Sequence, residues 1–315
     1  MPLDPYVKRF LHLLAAASQK KPMELDVGER RAALEYLMKL GAPDIEIAQA
    51  QDRVLSTPAG PLPVRIYAPL PLEDASPSPL LPGLIYFHGG GFVAGTVSTH
   101  DAIARSLATA GNCRVVSVEY RLAPEHPFPA GLEDALAAVN YVARHAENLG
   151  IISDRIGICG DSAGGTLAAA TCQSLARTGD LHLALQLLIC PILDYSRSSA
   201  SRRELASGYL VDEATLDHDL KHYVPKGTDP ADPLISPLRA DSVTGLPRTI
   251  IHTAEFDPMR DEGRAYFDRL VQAGSALTYT CHPGMIHLFY GLGAVIPYAG
   301  AAFDQIGGEI RGAMA

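Results

Sequence analysis

The sequence predicts an α/β protein with a mostly parallel central sheet, helices on both faces of that sheet and a helical cap. Short apolar runs alternate with amphipathic helical segments, a pattern typical of sheets covered on both faces. Residues 194–225 interrupt the alternation with a polar, charged and helix-like stretch, which predicts an insertion over one end of the sheet. The chain has 315 residues, 47% of them hydrophobic, so it can bury a large core.

The first 41 residues predict two helices, the second of which ends at Gly41. Residues 8–19 loosely resemble a signal peptide, because a basic start precedes a short apolar stretch and three alanines. However, Asp4 precedes the basic pair and His12 interrupts the apolar stretch. Apolar residues also recur there at helical spacing, which favours a structural amphipathic helix over an export signal.

Two strands come next, and a regular alternation of strands and helices follows them. Residues 45–57 and 62–69 predict a hairpin, and the Pro/Ser-rich stretch 69–83 predicts a surface turn. Further strands are predicted at 84–88, 113–120, 155–160, 183–191, 249–256 and 276–284. Helices are predicted between them at 100–111, 132–149, 163–179 and 261–274.

This pattern divides the chain into four segments. They are N-terminal cap helices (1–44), a first part of the core (45–193), a cap insertion (194–225) and a second part of the core (226–315). We expect the two cap segments to lie together over the edge of the sheet where the parallel strands end.

Composition excludes several classes of function. The formal net charge is −9 and no block is rich in lysine or arginine, which argues against a nucleic-acid partner. The five cysteines are scattered and lack zinc-site spacing, so we expect free thiols, a cytoplasmic location and no metal. No apolar run reaches the length of a membrane span. The oligomeric state stays open, with a homodimer among the alternatives.

The strand predicted at 84–88 ends in His88 and three consecutive glycines, Gly89 to Gly91. Consecutive glycines cost backbone entropy and add no packing, so they indicate that bare backbone is needed there. The N–H groups of such a loop can bind a dinucleotide phosphate or form an oxyanion hole, which stabilises a carbonyl oxygen that becomes negative during a reaction.

The phosphate interpretation rests on the stretch GGGFVA, which matches G-x-G-x-x-A, and on Glu119 at the end of the next strand. In such a site the helix begins at the glycines. Here eight residues, FVAGTVST, follow the glycines, and Ser98 or Thr99 is the expected N-cap of the next helix. The helix N-terminus is therefore too far from the glycines, and the sequence favours an oxyanion hole.

A second motif supplies a nucleophile. Gly160–Gly164 reads G-x-S-x-G between a predicted strand and a predicted helix, the context of a nucleophile elbow. The alternative is a Gly/Ser-rich turn without chemistry. In the elbow, small flanking residues permit a strained turn that exposes the Ser162 hydroxyl, and the Ala163 N–H points to where an oxyanion would form.

A serine nucleophile needs a base and an acid that orients the base, and in this class of fold both follow the serine in the order acid, then histidine. The strand predicted at 249–256 leads into three candidate acids. Glu255 lies close to the strand and Asp261 is expected to cap the next helix, so we favour Asp257, which begins the loop.

The candidate bases are His282 and His287. His282 lies at the end of its predicted strand, before a Pro-Gly turn, and we interpret it as a partly exposed strand-end residue. His287 lies beyond the turn, where its side chain can reach the serine. We therefore favour His287, and a metal site shared by the two histidines is not expected, because no acid lies nearby at ligand spacing.

Four motifs, HGGGF, GDSAGG, DPMRDEG and HPGMIHLF, together resemble the hormone-sensitive-lipase-like carboxylesterases of the α/β-hydrolase fold, the bacterial esterases in particular. Residues 119–135 add a further long match, and the resemblance covers roughly residues 45–315. The resemblance implies a triad and an oxyanion hole without a cofactor. The triad positions are Ser162, Asp257 and His287, and the oxyanion-hole amides are those of Gly89, Gly90 and Ala163; Gly91 is assigned to the sharp turn.

The expected function is hydrolysis of small carboxylic esters with short to medium acyl chains, through a covalent acyl-enzyme. A cap over Ser162 would limit the depth of the acyl pocket, which is the reason for expecting short chains. An amidase or arylacetamide-type deacetylase with the same triad is an alternative, because leaving-group chemistry is not visible in sequence. A non-catalytic receptor of the same fold is disfavoured, because every triad and hole position is filled.

Overall fold

The computed structural model describes residues 2–17, 20, 24–69, 79–179, 181–197 and 199–315. Its strands are β1 (Gln49–Thr57), β2 (Gly60–Ala68), β3 (Leu81–Phe87), β4 (Arg114–Val118), β5 (Ile151–Asp161), β6 (Leu185–Ile189), β7 (Arg248–Phe256) and β8 (Leu277–Ile286). They form one sheet in the order β1-β2-β4-β3-β5-β6-β7-β8. β1 and β2 pair antiparallel, β2 pairs antiparallel with β4, and every pair from β4 to β8 is parallel. The predicted hairpin and the mostly parallel sheet are therefore confirmed.

The helices are α1 (Pro5–Ala17), α2 (Val27–Gly41), α3 (Asp101–Gly111), α4 (Ala130–Arg144), α5 (Ala163–Thr178), α6 (Ala200–Glu204), α7 (Glu213–Tyr223), α8 (Arg260–Gln272) and α9 (Tyr298–Ala313). Apolar residues of α4, α5 and α8 pack in one core cluster, and those of α3 and α9 pack in another. Alternate residues of β4 enter different clusters, Val116 the first and Val115 the second. The sheet is thus covered on both faces, which explains why its central strands are continuous apolar runs.

The N-terminal segment forms the two predicted helices. α1 buries Val7 and Phe10 against the rest of the chain, so the prediction of a structural helix there is confirmed. α2 begins at a capping box, in which Asp26 accepts from the Glu29 backbone N–H and the Glu29 carboxylate accepts from the Asp26 N–H. No helix within the described ranges is long and apolar enough to cross a lipid bilayer.

Some local predictions differ from the structure or fall outside its described part. The N-cap of α3 is His100, because the Thr99 hydroxyl is used inside the preceding turn, where it accepts from the Thr96 N–H at 2.8 Å. Most of the predicted surface turn lies outside the described residues, at 70–78. The last helix, α9, was not predicted from the sequence.

The glycines of α9 explain why this helix is hard to recognise in the sequence. α9 contains several glycines, which are poor helix formers. At Gly307 the glycine is required for packing, because a Cβ there would lie 2.3 Å from the Ala110 carbonyl oxygen at the end of α3. Close helix packing, rather than helix propensity, therefore selects glycine at this position.

Candidate active site

Ser162 lies at a strained turn between β5 and α5. Its φ of 54° and ψ of −121° are outside the conformations that residues with a side chain prefer. Three neighbouring glycines make the turn sterically feasible. A Cβ would lie 2.0 Å from the Gly164 carbonyl oxygen at Gly160, 1.9 Å from the Phe87 carbonyl oxygen at Gly164, and 2.7 Å from the Pro191 Cβ at Gly165. The prediction of a strained elbow with small flanking residues is confirmed.

Asp257 directly follows β7 and His287 directly follows β8, two adjacent parallel strands. From the carboxyl ends of these strands, the two side chains reach the position of Ser162 after β5. The His287 Nε2 atom is 3.0 Å from the Ser162 Oγ, and its Nδ1 atom is 2.9 Å from an Asp257 carboxylate oxygen. The other Asp257 oxygen accepts the Met259 N–H at 2.8 Å, which orients the carboxylate. All three side chains are buried, and Ser162 is the most accessible of them at 8%.

The pKa of His287 is raised above its ordinary value of 6.5. Burial alone would lower this pKa, because it disfavours the charged ring. The negative charge of Asp257 and its hydrogen bond to Nδ1 oppose that effect and outweigh it, with a smaller contribution from the charge of Asp161. Asp257 is therefore placed both to orient the imidazole and to stabilise its protonated form.

The competing acids and the competing histidine serve other contacts. Glu255 accepts the Gly284 N–H at 2.8 Å, and Asp261 accepts the Ser201 N–H at 2.8 Å. Asp261 lies in the first turn of α8, whose N-cap is Met259, so the prediction that Asp261 caps this helix is wrong. β8 runs through the predicted Pro-Gly turn and ends at Ile286, directly before His287.

His282 differs from the prediction of a partly exposed strand-end residue. Its side chain is fully buried and its ring nitrogens lie 2.9 Å from the His252 Nδ1 and 3.2 Å from the Tyr298 hydroxyl. The cause is α9, which was not predicted and which covers this part of β8. Burial, followed by the neighbouring His252, lowers the pKa of His282 to about 3.

The loop of Gly89 to Gly91, the glycine loop, lies against the turn at Ser162, the elbow. The N–H groups that it can offer to an oxyanion differ from those expected. The Gly89 N–H donates to an Asp161 carboxylate oxygen at 3.0 Å, so it is not free for an oxyanion, and its assignment needs correction. Gly90 and Gly91 have φ of 116° and 67° and line the cavity that contains Ser162. Within the part of the chain that the structure describes, the N–H groups of Gly90, Gly91 and Ala163 donate to no protein acceptor.

Ser162 and His287 open into a cavity of about 410 Å³. Both predicted cap segments contribute walls to it, the first through α1 and α2 and the second through α7 and the residues before it. The walls are largely apolar and include Leu34, Leu37, Leu210, Val211 and Leu216. A larger cleft of about 1160 Å³ does not contain Ser162, and its Arg31 and Arg105 are paired with Glu125 and Asp101.

One pair of charged residues also lines the cavity. Arg30 on α2 and the buried Asp219 on α7 form a partly buried ion pair at 3.1 Å, which joins the two cap segments. A Cβ at Gly91 would lie 1.9 Å from an Asp219 carboxylate oxygen, so the pair rests directly on the glycine loop. Sequence reasoning missed both residues, since an isolated arginine and an isolated aspartate on cap helices carry no motif.

Among the described residues, one cluster has the donor types of a metal site. It consists of Cys190, Asp257 and His287, whose ligand atoms lie within 4.8 Å of one another. Both ring nitrogens of His287 and both oxygens of Asp257 already have hydrogen-bond partners. Burial, and then the charge of Asp257, raises the pKa of the Cys190 thiol well above 9.0, so it does not supply a thiolate. Asp257 and His287 therefore fit their hydrogen-bonded chain to Ser162 better than a metal site.

Residues 84–291 match a family model described as the alpha/beta hydrolase fold. The chain is 36% identical to an arylesterase of Saccharolobus solfataricus, over 92% of this chain and 93% of that protein. It is 36% identical to an ethyl acetate hydrolase of Pseudomonas putida, over 95% of each. Among solved structures, an ester-hydrolase from the metagenome of Lake Arreo superposes with a TM-score of 0.94 at 40% identity, covering 98% of each chain. An esterase of Pyrobaculum calidifontis superposes with a TM-score of 0.92 at 36% identity, covering 100% of each chain.

Proposed function

This chain belongs to the hormone-sensitive-lipase-like carboxylesterases of the α/β-hydrolase family, and we propose that it hydrolyses small carboxylic esters with Ser162 as its nucleophile. The observation that carries the proposal is the continuous hydrogen-bonded chain from Ser162 through His287 to Asp257, with distances of 3.0 and 2.9 Å. A base and an orienting acid at these distances are what a serine hydroxyl requires to attack an ester carbonyl.

The reaction proceeds in two halves. In the first, His287 Nε2 takes the Ser162 proton as the oxygen attacks the ester carbonyl carbon, and the resulting imidazolium returns that proton to the departing alcohol. In the second, His287 takes a proton from water, the hydroxide attacks the acyl-enzyme carbonyl, and the proton returns to Ser162 as the carboxylic acid leaves. Asp257 holds the ring with Nδ1–H towards itself and stabilises the imidazolium in both halves.

The oxyanion hole is formed, in this proposal, by the N–H groups of Gly90, Gly91 and Ala163. Support comes from the position of Gly90 and Gly91 in the cavity beside Ser162 and from the place of Ala163 at the start of α5. Gly89 is left out because its N–H already donates to Asp161. Donors of this kind typically contribute about 10²–10³ in rate each.

Short to medium acyl chains are the proposed substrates. The cavity of about 410 Å³ has largely apolar walls, and both cap segments contribute to them. An amidase with the same triad is the second candidate, but the relatives described above are named as esterases, which favours esters. We further propose a cytoplasmic location, which the five free cysteines support.

Rates of the wild type, Ser162→Ala and His287→Ala on a matched pair of substrates, an acetate ester and the corresponding anilide, test the proposal. We expect the wild type to prefer the ester and both variants to lose at least about 10³-fold in kcat, because triad members act as a unit. An exposed histidine, His12, provides the matched control, and His12→Ala should retain wild-type rates. Turnover near the wild-type rate in folded Ser162→Ala would rule out the proposed nucleophile.

A further inference from the structure

Asp161, the residue directly before Ser162, joins the nucleophile elbow to the glycine loop. One of its carboxylate oxygens, Oδ1, accepts the Tyr86 hydroxyl at 2.5 Å and the Gly89 N–H at 3.0 Å. The side chain is buried, with 4% of the residue exposed. The proposed reaction assigns no step to this carboxylate, so its presence next to the reacting serine needs a separate explanation.

Burying a carboxylate beside Ser162 is costly in this setting. No lysine or arginine within the described ranges forms an ion pair with Asp161, and its second oxygen, Oδ2, has no hydrogen-bond partner there. The nearest basic nitrogen, His100 Nε2, is 3.8 Å away, and burial lowers the pKa of His100 to about 4, so that ring is neutral near pH 7. A buried acid with so little compensation is expected to be retained for a role at the site rather than for stability.

The contacts of Gly89 indicate what this role is. A Cβ at Gly89 would lie 2.5 Å from Asp161 Oδ2 and 3.1 Å from the Ser162 Cβ, so the loop rests directly on the elbow. The next two residues of the loop, Gly90 and Gly91, are in positive-φ conformations and have no side chains to anchor them. The Val93 and Ala94 N–H groups donate to the Gly90 carbonyl oxygen at 3.2 and 2.9 Å and hold the far side of the loop. The hydrogen bond from the Gly89 N–H to Asp161 is the contact that fixes the loop to the residue beside Ser162.

We infer that Asp161 is a positioning residue, whose Oδ1 holds the glycine loop at the correct distance from Ser162 for the oxyanion hole. The inference rests on the proposed function, because it assigns Asp161 a role towards the Gly90 and Gly91 donors. Tyr86 is the second donor to Oδ1 and holds the carboxylate in the orientation that accepts the Gly89 N–H. Without this acceptor, the N–H groups of Gly90 and Gly91 no longer point to the position of the oxyanion. Stabilisation of the transition state then falls, while substrate binding changes little.

Three variants test this inference on a soluble acetate ester. Asp161→Ala removes the acceptor, and we expect kcat to fall about 10²–10³-fold, as for loss of an oxyanion donor, with KM within about threefold. Asp161→Asn keeps an Oδ1 acceptor and should restore kcat to within about tenfold of the wild type. Asp134→Ala is the matched control, because the buried Asp134 carboxylate also accepts a backbone N–H, that of Arg121 at 2.8 Å, and its loss should leave kcat unchanged.

A trifluoromethyl ketone provides a readout that a merely structural role would not change. Its carbonyl adds the Ser162 oxygen and becomes an alkoxide held by the hole, while His287 takes the proton. Its Ki should rise in Asp161→Ala by the same factor by which kcat/KM falls. Wild-type kcat and Ki in Asp161→Ala, or an Asp161→Asn as inactive as Asp161→Ala, would overturn the inference.

Two further comparisons keep the outcomes separate. If Asp161→Ala does not fold, Tyr86→Phe replaces it; this variant keeps the ring, and it should lower kcat several-fold with KM unchanged, whereas a wild-type kcat would again overturn the inference. If the wild type itself neither hydrolyses the ester nor binds the ketone, the proposed function fails instead.

Discussion

At the scale of single residues, short motifs identify the chemistry, but contacts decide which atoms are free to perform it. Ser162, Asp257 and His287 could be selected from sequence because each has a distinctive position after a strand. Gly89 was assigned wrongly, since nothing in the sequence indicates that the Asp161 carboxylate occupies its N–H. Gly91 was assigned to the sharp turn, which its φ of 67° supports, but the sequence did not indicate that it also lines the cavity beside Ser162. Hydrogen bonds between loops distant in sequence are the part that patterns do not reveal.

The protonation of His287 leads to a prediction about pH. The base must be neutral to accept the Ser162 proton, and the pKa of His287 is raised above 6.5, chiefly because the Asp257 charge and hydrogen bond outweigh burial. Activity is therefore lost as the pH falls through this raised pKa. We expect kcat/KM for a neutral ester to rise with pH along a single limb whose midpoint lies above 6.5. A flat profile from pH 5 to 9, or a midpoint well below 6, would contradict a histidine base paired with Asp257.

At the scale of elements, hydrophobic periodicity predicted the strands and most helices, because central strands covered on both faces are continuous apolar runs. α9 was missed, since its glycines lower helix propensity, although one of them, Gly307, is required for close packing against α3. Its absence from the prediction also led to the wrong environment for His282. That side chain connects β8 to His252 on β7 and to Tyr298 on α9, and His252 in turn bonds Glu309 of α9 at 2.8 Å.

This buried connection predicts a loss of stability without a loss of catalysis. His282→Ala removes the partner of His252 and of Tyr298 and leaves a cavity, so we expect about 2–4 kcal/mol less unfolding free energy. The folded variant should keep a kcat within about threefold of the wild type, because the contacts of His287 do not involve His282. Chemical denaturation and initial rates on the same samples measure both quantities. His12→Ala, at an exposed position, is the control, and a His282→Ala that is stable but inactive would contradict this account.

At the scale of the whole molecule, the parallel strands bring Ser162, Asp257 and His287 together at their carboxyl ends, and segments from two distant parts of the chain line the cavity beside them. Residues 1–44 and 194–225 were expected to form a cap, and residues of both segments line the cavity. The Arg30–Asp219 ion pair that joins them was not predictable, because it depends on how α2 and α7 meet. The size and shape of the cavity likewise follow from packing rather than from any motif.

The limited volume of the cavity, about 410 Å³, predicts a limit on acyl length. Each methylene that enters an apolar pocket contributes about 0.8 kcal/mol, so kcat/KM should rise roughly fourfold per methylene and then level off or fall. We expect the optimum on a p-nitrophenyl ester series at short to medium chains, with emulsified triolein a poor substrate. Leu216→Ala on α7 enlarges the cavity and should move the optimum to longer chains, whereas Leu220→Ala, on the same helix but outside the cavity lining, should not. An optimum at sixteen carbons or longer in the wild type would contradict the limit.

The central claim is that Ser162, activated by His287, carries the acyl group, and covalent labelling with a fluorophosphonate tests it most directly. The measurement is peptide mapping by mass spectrometry, alongside the residual esterase activity at each degree of labelling. The account predicts one adduct per chain, on Ser162, with activity lost in proportion to it and labelling abolished in Ser162→Ala. An adduct on another residue that accompanies the loss of activity, or full activity in a chain completely labelled at Ser162, would contradict it.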